Sequence, residues 1–137
     1  NRRQRQMCIR DRFKNNTKVQ HICHEPEDID LLSEILEKAY IEKDGTWCLF
    51  VIGHYTGKIS DPNKISLYLE RLEKNKFNAD WAICAFDKEE FSCLKEAIKL
   101  GGKIRVGFEN SLMLPNGEMA PDNETKIKII KEELNIN

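Results

Sequence analysis

The sequence predicts a parallel α/β fold of four strand–helix units. Three observations carry that expectation. Four short apolar, β-branched or aromatic runs recur along the chain, each followed by a stretch of helical periodicity. No two of the runs are joined by a tight turn, which leaves crossover helices as the connections and makes the sheet parallel. The run Trp47 to Gly53 is apolar throughout, as a strand buried on both faces should be.

The elements follow in order. A first strand is expected at about Val19 to Cys23. Pro26-Glu27-Asp28 then opens a helix whose acidic first turn suits the helix dipole. Its inward stripe is Ile29, Leu32, Ile35, Leu36 and Ala39. The second strand is Trp47 to Gly53. Ser60-Asp61-Pro62 starts the next helix, with Asp61 as cap and Ile65, Leu69 and Leu72 on one face. The third strand is Trp81 to Phe86. Asp87 is expected to cap a helix through Leu100, with Phe91, Leu94, Ala97 and Ile98 facing inward and Gly101 as its stop. Lys103 to Gly107 is the fourth strand. A hairpin-like loop with Pro115-Asn116-Gly117 follows, and Asp122 caps a last helix through Leu134. Trp47 and Trp81 are core anchors at strand starts.

Composition narrows the class. Apolar content of 40% and charged content of 33% describe a globular chain. A net charge of −1 gives no electrostatic case for nucleic acid or an anionic membrane. No apolar run reaches the roughly 20 residues a membrane helix needs, and no apolar core follows the basic N-terminus as in a secretory signal. The five cysteines are scattered and none forms C-x-x-C. They are expected to be small buried hydrophobes in a reducing, cytoplasmic setting.

A seam in composition lies near the N-terminus. Of seven arginines, five fall in the first 12 residues, and lysine replaces arginine almost everywhere else. One explanation is a basic arm. The favoured one is that residues 1–12 are foreign, because Arg5 to Arg12 resembles translated sequencing-adapter sequence. Residues 13–137 would then be the C-terminal part of a longer protein. Four βα units make an open sheet or half of a (β/α)₈ barrel. A half barrel has two unpaired strand edges, which folded proteins avoid, so the unit count and the seam both expect a missing first half.

The stretch Gly101-Gly102-Lys103-Ile104-Arg105-Val106-Gly107-Phe108-Glu109-Asn110 concentrates the chemistry. Ligands of parallel α/β proteins bind at the carboxyl ends of the strands. Arg105, placed inside the strand, needs an anionic partner, and Glu109 follows four residues on. The alternative is a structural ion pair holding strand to loop. The glycine pair lacks the G-x-x-x-x-G-K-[ST] frame and is a helix stop rather than a phosphate loop.

Those residues carry a family resemblance. Together with Leu49-Phe50-Val51-Ile52-Gly53, Trp81-Ala82-Ile83-Cys84-Ala85 and the tail Leu114-Pro115-Asn116-Gly117-Glu118-Met119-Ala120-Pro121-Asp122-Asn123, the stretch resembles the C-terminal half of the β-keto acid cleavage enzymes, typified by 3-keto-5-aminohexanoate cleavage enzyme. The resemblance implies an α/β TIM barrel, four of whose eight βα units are present here. It implies zinc, or another divalent metal, and acetyl-CoA as co-substrate. Such enzymes convert a β-keto acid and acetyl-CoA to acetoacetate and a new acyl-CoA. It also implies Glu109 as a metal ligand beside a His-x-His pair on an early strand, and Arg105 as an active-site arginine. The family aspartate that assists proton transfer is replaced here by Asn110, a departure that alters either the proton path or the substrate range. The full-length form is expected to be a homo-oligomer acting on small molecules without nucleic acid or membrane partners. The 137-residue chain by itself is expected to be inactive.

The histidines do not complete that ligand set. His21-x-Cys23-His24 alternates across a strand and is no dependable zinc frame. His21 is expected in the core, and His54 as a loop residue without a metal role. A competing hypothesis is a non-catalytic half barrel that self-assembles or binds a partner. A third, a small open-sheet nucleotide-binding protein, lacks a glycine-rich loop after its first strand.

Overall fold

The computed structural model describes residues 2–54 and 56–137. Asn1 and the side chains of Arg2, Arg3 and Arg5, all in the segment expected to be foreign, lie outside that description. The elements are α1 (Arg2–Lys14), β1 (Gln20–Cys23), α2 (Glu27–Lys38), β2 (Trp47–Ile52), α3 (Lys64–Lys74), β3 (Asp80–Ala85), a 3₁₀ turn (Asp87–Glu89), α4 (Glu90–Lys99), β4 (Lys103–Ile104) and α5 (Asn123–Glu133). The strands form one sheet in the order β1-β2-β3-β4. Gln20 to Cys23 run parallel to Trp47 to Phe50, and Ala82-Ile83 parallel to Lys103-Ile104. Strand and helix alternate from β1 onward, an α/β arrangement compatible with half of a TIM barrel. No helix among the described residues is long and apolar enough to cross a membrane.

The chain divides into two compact units. The first comprises Asn1–Phe50 and Ser66–Trp81. In it the stripe Ile29, Leu32, Ile35, Leu36 and Ala39 is buried, as the helical spacing requires. Phe50 stacks on Tyr68 with ring centroids 4.5 Å apart and on Trp81 at 5.6 Å. Tyr68 is fully buried, and its hydroxyl donates to the Cys23 carbonyl at 3.4 Å. The expected inward residue Leu69 is only half-buried. Tyr68 takes that place because its ring fills the space against Phe50 while its hydroxyl still finds an acceptor. Arg71 pairs with Asp30 and, at 3.3 Å, with Glu27, tying α3 to α2.

The second unit comprises Val51–Ile65 and Ala82–Asn137. Its core holds Ile52, Ile65, Ile83, Cys84, Cys93, Leu94, Ala97 and Ile130. Two expectations change here. Asp87 does not cap the following helix: it adopts φ 55° and enters the 3₁₀ turn, and the residue at the start of α4, Glu89, makes no side-chain cap bond. The fourth strand stops at Ile104 instead of Gly107, because after the Arg105 amide the chain turns away from β3. Other punctuation holds. Gly101 closes α4 at φ +84°, with Gly102 N–H on the Ala97 carbonyl at 2.8 Å. Leu114 N–H on the Glu118 carbonyl at 2.7 Å closes the loop hairpin, and Asp122 caps α5 by accepting from the Thr125 amide at 2.6 Å.

Candidate active site beyond the end of β4

The candidate residues lie in the second unit, on the segment Arg105 to Ser111. Arg105 is the first residue past β4, not a residue inside it; its N–H donates to the Ile83 carbonyl at 2.8 Å, the last rung of the ladder. Its guanidinium is not a buried cation. The side chain keeps 39% of its surface exposed and reaches Glu109 Oε2 at 3.6 Å. The same Nη2 lies 3.8 Å from the Cys84 sulfur, which is buried on β3. Burial pushes the Cys84 thiol up and the nearby guanidinium partly offsets this, so Cys84 is an inert neighbour rather than a nucleophile. Glu109 is the open end of the pair, with 79% of its side chain exposed.

Beyond Arg105 the backbone makes a compact turn. The Asn110 N–H donates to the Gly107 carbonyl at 3.1 Å, and the Phe108 N–H to Asn123 Oδ1 on α5 at 3.0 Å. The Asn110 carbonyl accepts from the Asp87 amide at 3.3 Å, fixing the turn to the 3₁₀ segment. Asn110 itself is buried, and its Oδ1 has no hydrogen-bond partner among the described residues. A buried acceptor left unsatisfied costs free energy.

Two further residues hold this turn. The ammonium of Lys126, fully buried on α5, lies 2.9 Å from Glu90 Oε1 at the start of α4 and donates to the Ser111 carbonyl. Burial pushes the Glu90 carboxyl up, and Lys126 opposes that shift. Sequence reasoning missed both. The signal was available, because each charge sits on an apolar stripe: Glu90 with Leu94 and Ala97, Lys126 with Ile130.

Of the three histidines, one lies in the unit of this turn and two in the other. In the second unit, His54 follows β2, and its Nδ1 accepts from the Thr56 N–H at 3.1 Å. His21 and His24 belong to the first unit. There they help to wall a pocket of about 440 Å³. His21 is half-buried, and burial lowers its pKa. Among the described residues no three His, Cys, Asp or Glu side chains form a group that could hold a metal ion. Glu109 offers one carboxylate, so the donor set described here does not by itself fit a catalytic zinc, which takes three protein ligands.

The fold and site define a parallel α/β protein with an acid and a guanidinium presented just past a strand's carboxyl end. The sequence model of the beta-keto acid cleavage enzymes matches residues 2–135. The chain belongs to the beta-keto acid cleavage enzyme family.

Proposed function

We propose that this chain is the C-terminal half of a TIM-barrel acyltransferase, in which a β-keto acid and acetyl-CoA yield acetoacetate and a new acyl-CoA. The observation that carries the proposal is the family match across the Arg105–Glu109 pair and the unsatisfied Asn110 acceptor. An ion pair this exposed contributes little to stability, which favours a ligand-handling role over that of a staple. Arg105 offers a planar fork of N–H donors for the carboxylate of the β-keto acid. Glu109 stands free to act as a ligand or to hold the arginine in register. Asn110 Oδ1 accepts a hydrogen bond from a donor on the substrate. As a neutral amide it does not take up a proton, so proton transfer falls to another group or the substrate range differs.

The family chemistry calls for zinc or another divalent metal. This chain contains no His-x-His pair, and we place the ligands that would join Glu109 outside its 137 residues. The test uses a longer form that carries those histidines. Glu109→Ala is expected to lose both zinc and turnover. Arg105→Lys is expected to raise KM for the keto acid, because a point charge replaces a bidentate fork. Wild-type zinc content and turnover in Glu109→Ala would overturn the assignment.

A second reading is a half barrel that pairs with another copy. Ile22, on the terminal strand β1, is 53% exposed, an apolar side chain on a sheet edge. Sedimentation decides this one: a defined dimer is expected from it, and a stable monomer rules it out.

A further inference from the structure

The Glu109–Asn110 turn is held from outside by side chains of α5, and the grip has two ends. Asn123 Oδ1 accepts from the Phe108 N–H at 3.0 Å, one residue before Glu109. Lys126, one helical turn further along α5, donates from its ammonium to the Ser111 carbonyl, one residue after Asn110. Its charge is balanced by Glu90, whose Oε1 and Oε2 lie 2.9 and 3.0 Å from Nζ. The Lys126 end is buried, with Lys126 at 0% and Glu90 at 4% exposed, whereas the Asn123 bond lies at the surface. A buried charge pair brings little net stability over apolar residues of the same volume, because desolvating both ions cancels most of the attraction. What such a pair supplies is a fixed direction for the third group it bonds. Here that group is the backbone carbonyl next to Asn110.

We propose that Lys126 is a positioning residue: the Glu90–Lys126 pair holds the Ser111 carbonyl and so sets the placement of Glu109 and Asn110. The proposal rests on the functional reading above only in calling this turn part of the site. The grip itself is a claim about the chain alone.

The test is amide hydrogen exchange, followed by NMR, on the 137-residue chain. In the double variant Lys126→Met/Glu90→Leu both charges leave together and similar volume remains, so α4 and α5 keep their packing. The Asn110 amide, on Gly107, and the Ser111 amide are expected to exchange at least about tenfold faster. Amides of Leu94 and Ile130, in the helix interiors, are expected to be unchanged. A purely structural pair would alter protection throughout the unit or not at all; either pattern overturns the proposal. Should the double variant fail to fold, the wild-type chain supplies the answer. A slowly exchanging Lys126 ammonium signal with a nuclear Overhauser contact to the Asn110–Ser111 backbone is expected, and its absence overturns the proposal. None of these readouts involves zinc or turnover. Failure of the Glu109→Ala test therefore leaves this result standing, and the reverse also holds.

Discussion

Ser60 and Gly53 form a clasp in which a hydroxyl and a missing Cβ depend on one another. Ser60 Oγ donates to the Ile52 carbonyl at 2.9 Å and accepts from the Phe86 N–H at 3.0 Å, joining the chain past β2 to the chain past β3. Gly53 lies against it at φ +82°, where an added Cβ would stand 2.3 Å from Ser60 Oγ and 3.0 Å from the Lys58 carbonyl. Gly53→Ala is expected to cost about 1–3 kcal/mol through backbone strain and crowding. Ser60→Ala removes both of these buried hydrogen bonds and costs about 1–3 kcal/mol. The double variant should lose less than the sum, since the Oγ crowding disappears while the strained φ remains. Urea unfolding of the four proteins measures this, and strict additivity would mean that the hydroxyl is not what excludes the Cβ. His21 gives a pH dependence at the same scale. Burial lowers its folded pKa below 6.5, so the unfolded chain binds more protons in the interval just below that value. Its contribution is complete above pH 6.5 and declines as the pH falls through that interval. Replacing His21 with Asn should flatten that part of a stability–pH curve.

At the scale of elements, α2 was legible and β4 was not. The apolar spacing of α2 is a local property, and every residue on its stripe is buried. The expected five-residue β4 is a two-residue strand, because its chain turns away after the Arg105 amide although β3 runs on to Ala85. Arg105 was therefore expected inside a strand and stands beyond one. The pairing of Arg105 with Glu109 was legible, being a four-residue separation across one turn. The support beneath them was not, because Glu90 and Lys126 are 36 residues apart. That support also sets the element-level prediction. Lys126→Met alone leaves the Glu90 carboxylate buried without its cation and is expected to cost about 3–5 kcal/mol, whereas replacing both residues restores most of the loss. Thermal unfolding of the single and double variants compares the two. A single variant as stable as wild type would contradict the pairing.

For the whole molecule, the cysteines give a direct check on the packing. Cys23, Cys48, Cys84 and Cys93 are buried and Cys8 is exposed. Burial pushes the Cys93 thiol up to about 12 and raises Cys84, and a hydrogen bond with Cys48 together with burial raises Cys23, which withholds the reactive thiolate. Titration with an aromatic disulfide reagent should find Cys8 reacting quickly in the native chain and the other four only after denaturation. Fast reaction of a second thiol would place one of them at the surface. The metal of the proposed function is tested at this scale too. The isolated chain is expected to retain only substoichiometric zinc after dialysis and to show no turnover. Tight stoichiometric zinc would show that its own residues complete a centre.

The sequence by itself determined the alternation of strand and helix, the caps at Asp122 and Gly101, the family, and the nearness of Arg105 to Glu109. Each of these is written in residues a few positions apart, or in a motif read along the chain. Tertiary structure decided that Tyr68 and not Leu69 faces inward, where β4 stops, and that Asn110 keeps a buried acceptor with no donor among the described residues. It also decided that a charge from α5 and one from α4 meet beneath the turn. Those outcomes depend on which distant segments share a space, and on whether water can enter it. Local periodicity carries no record of either.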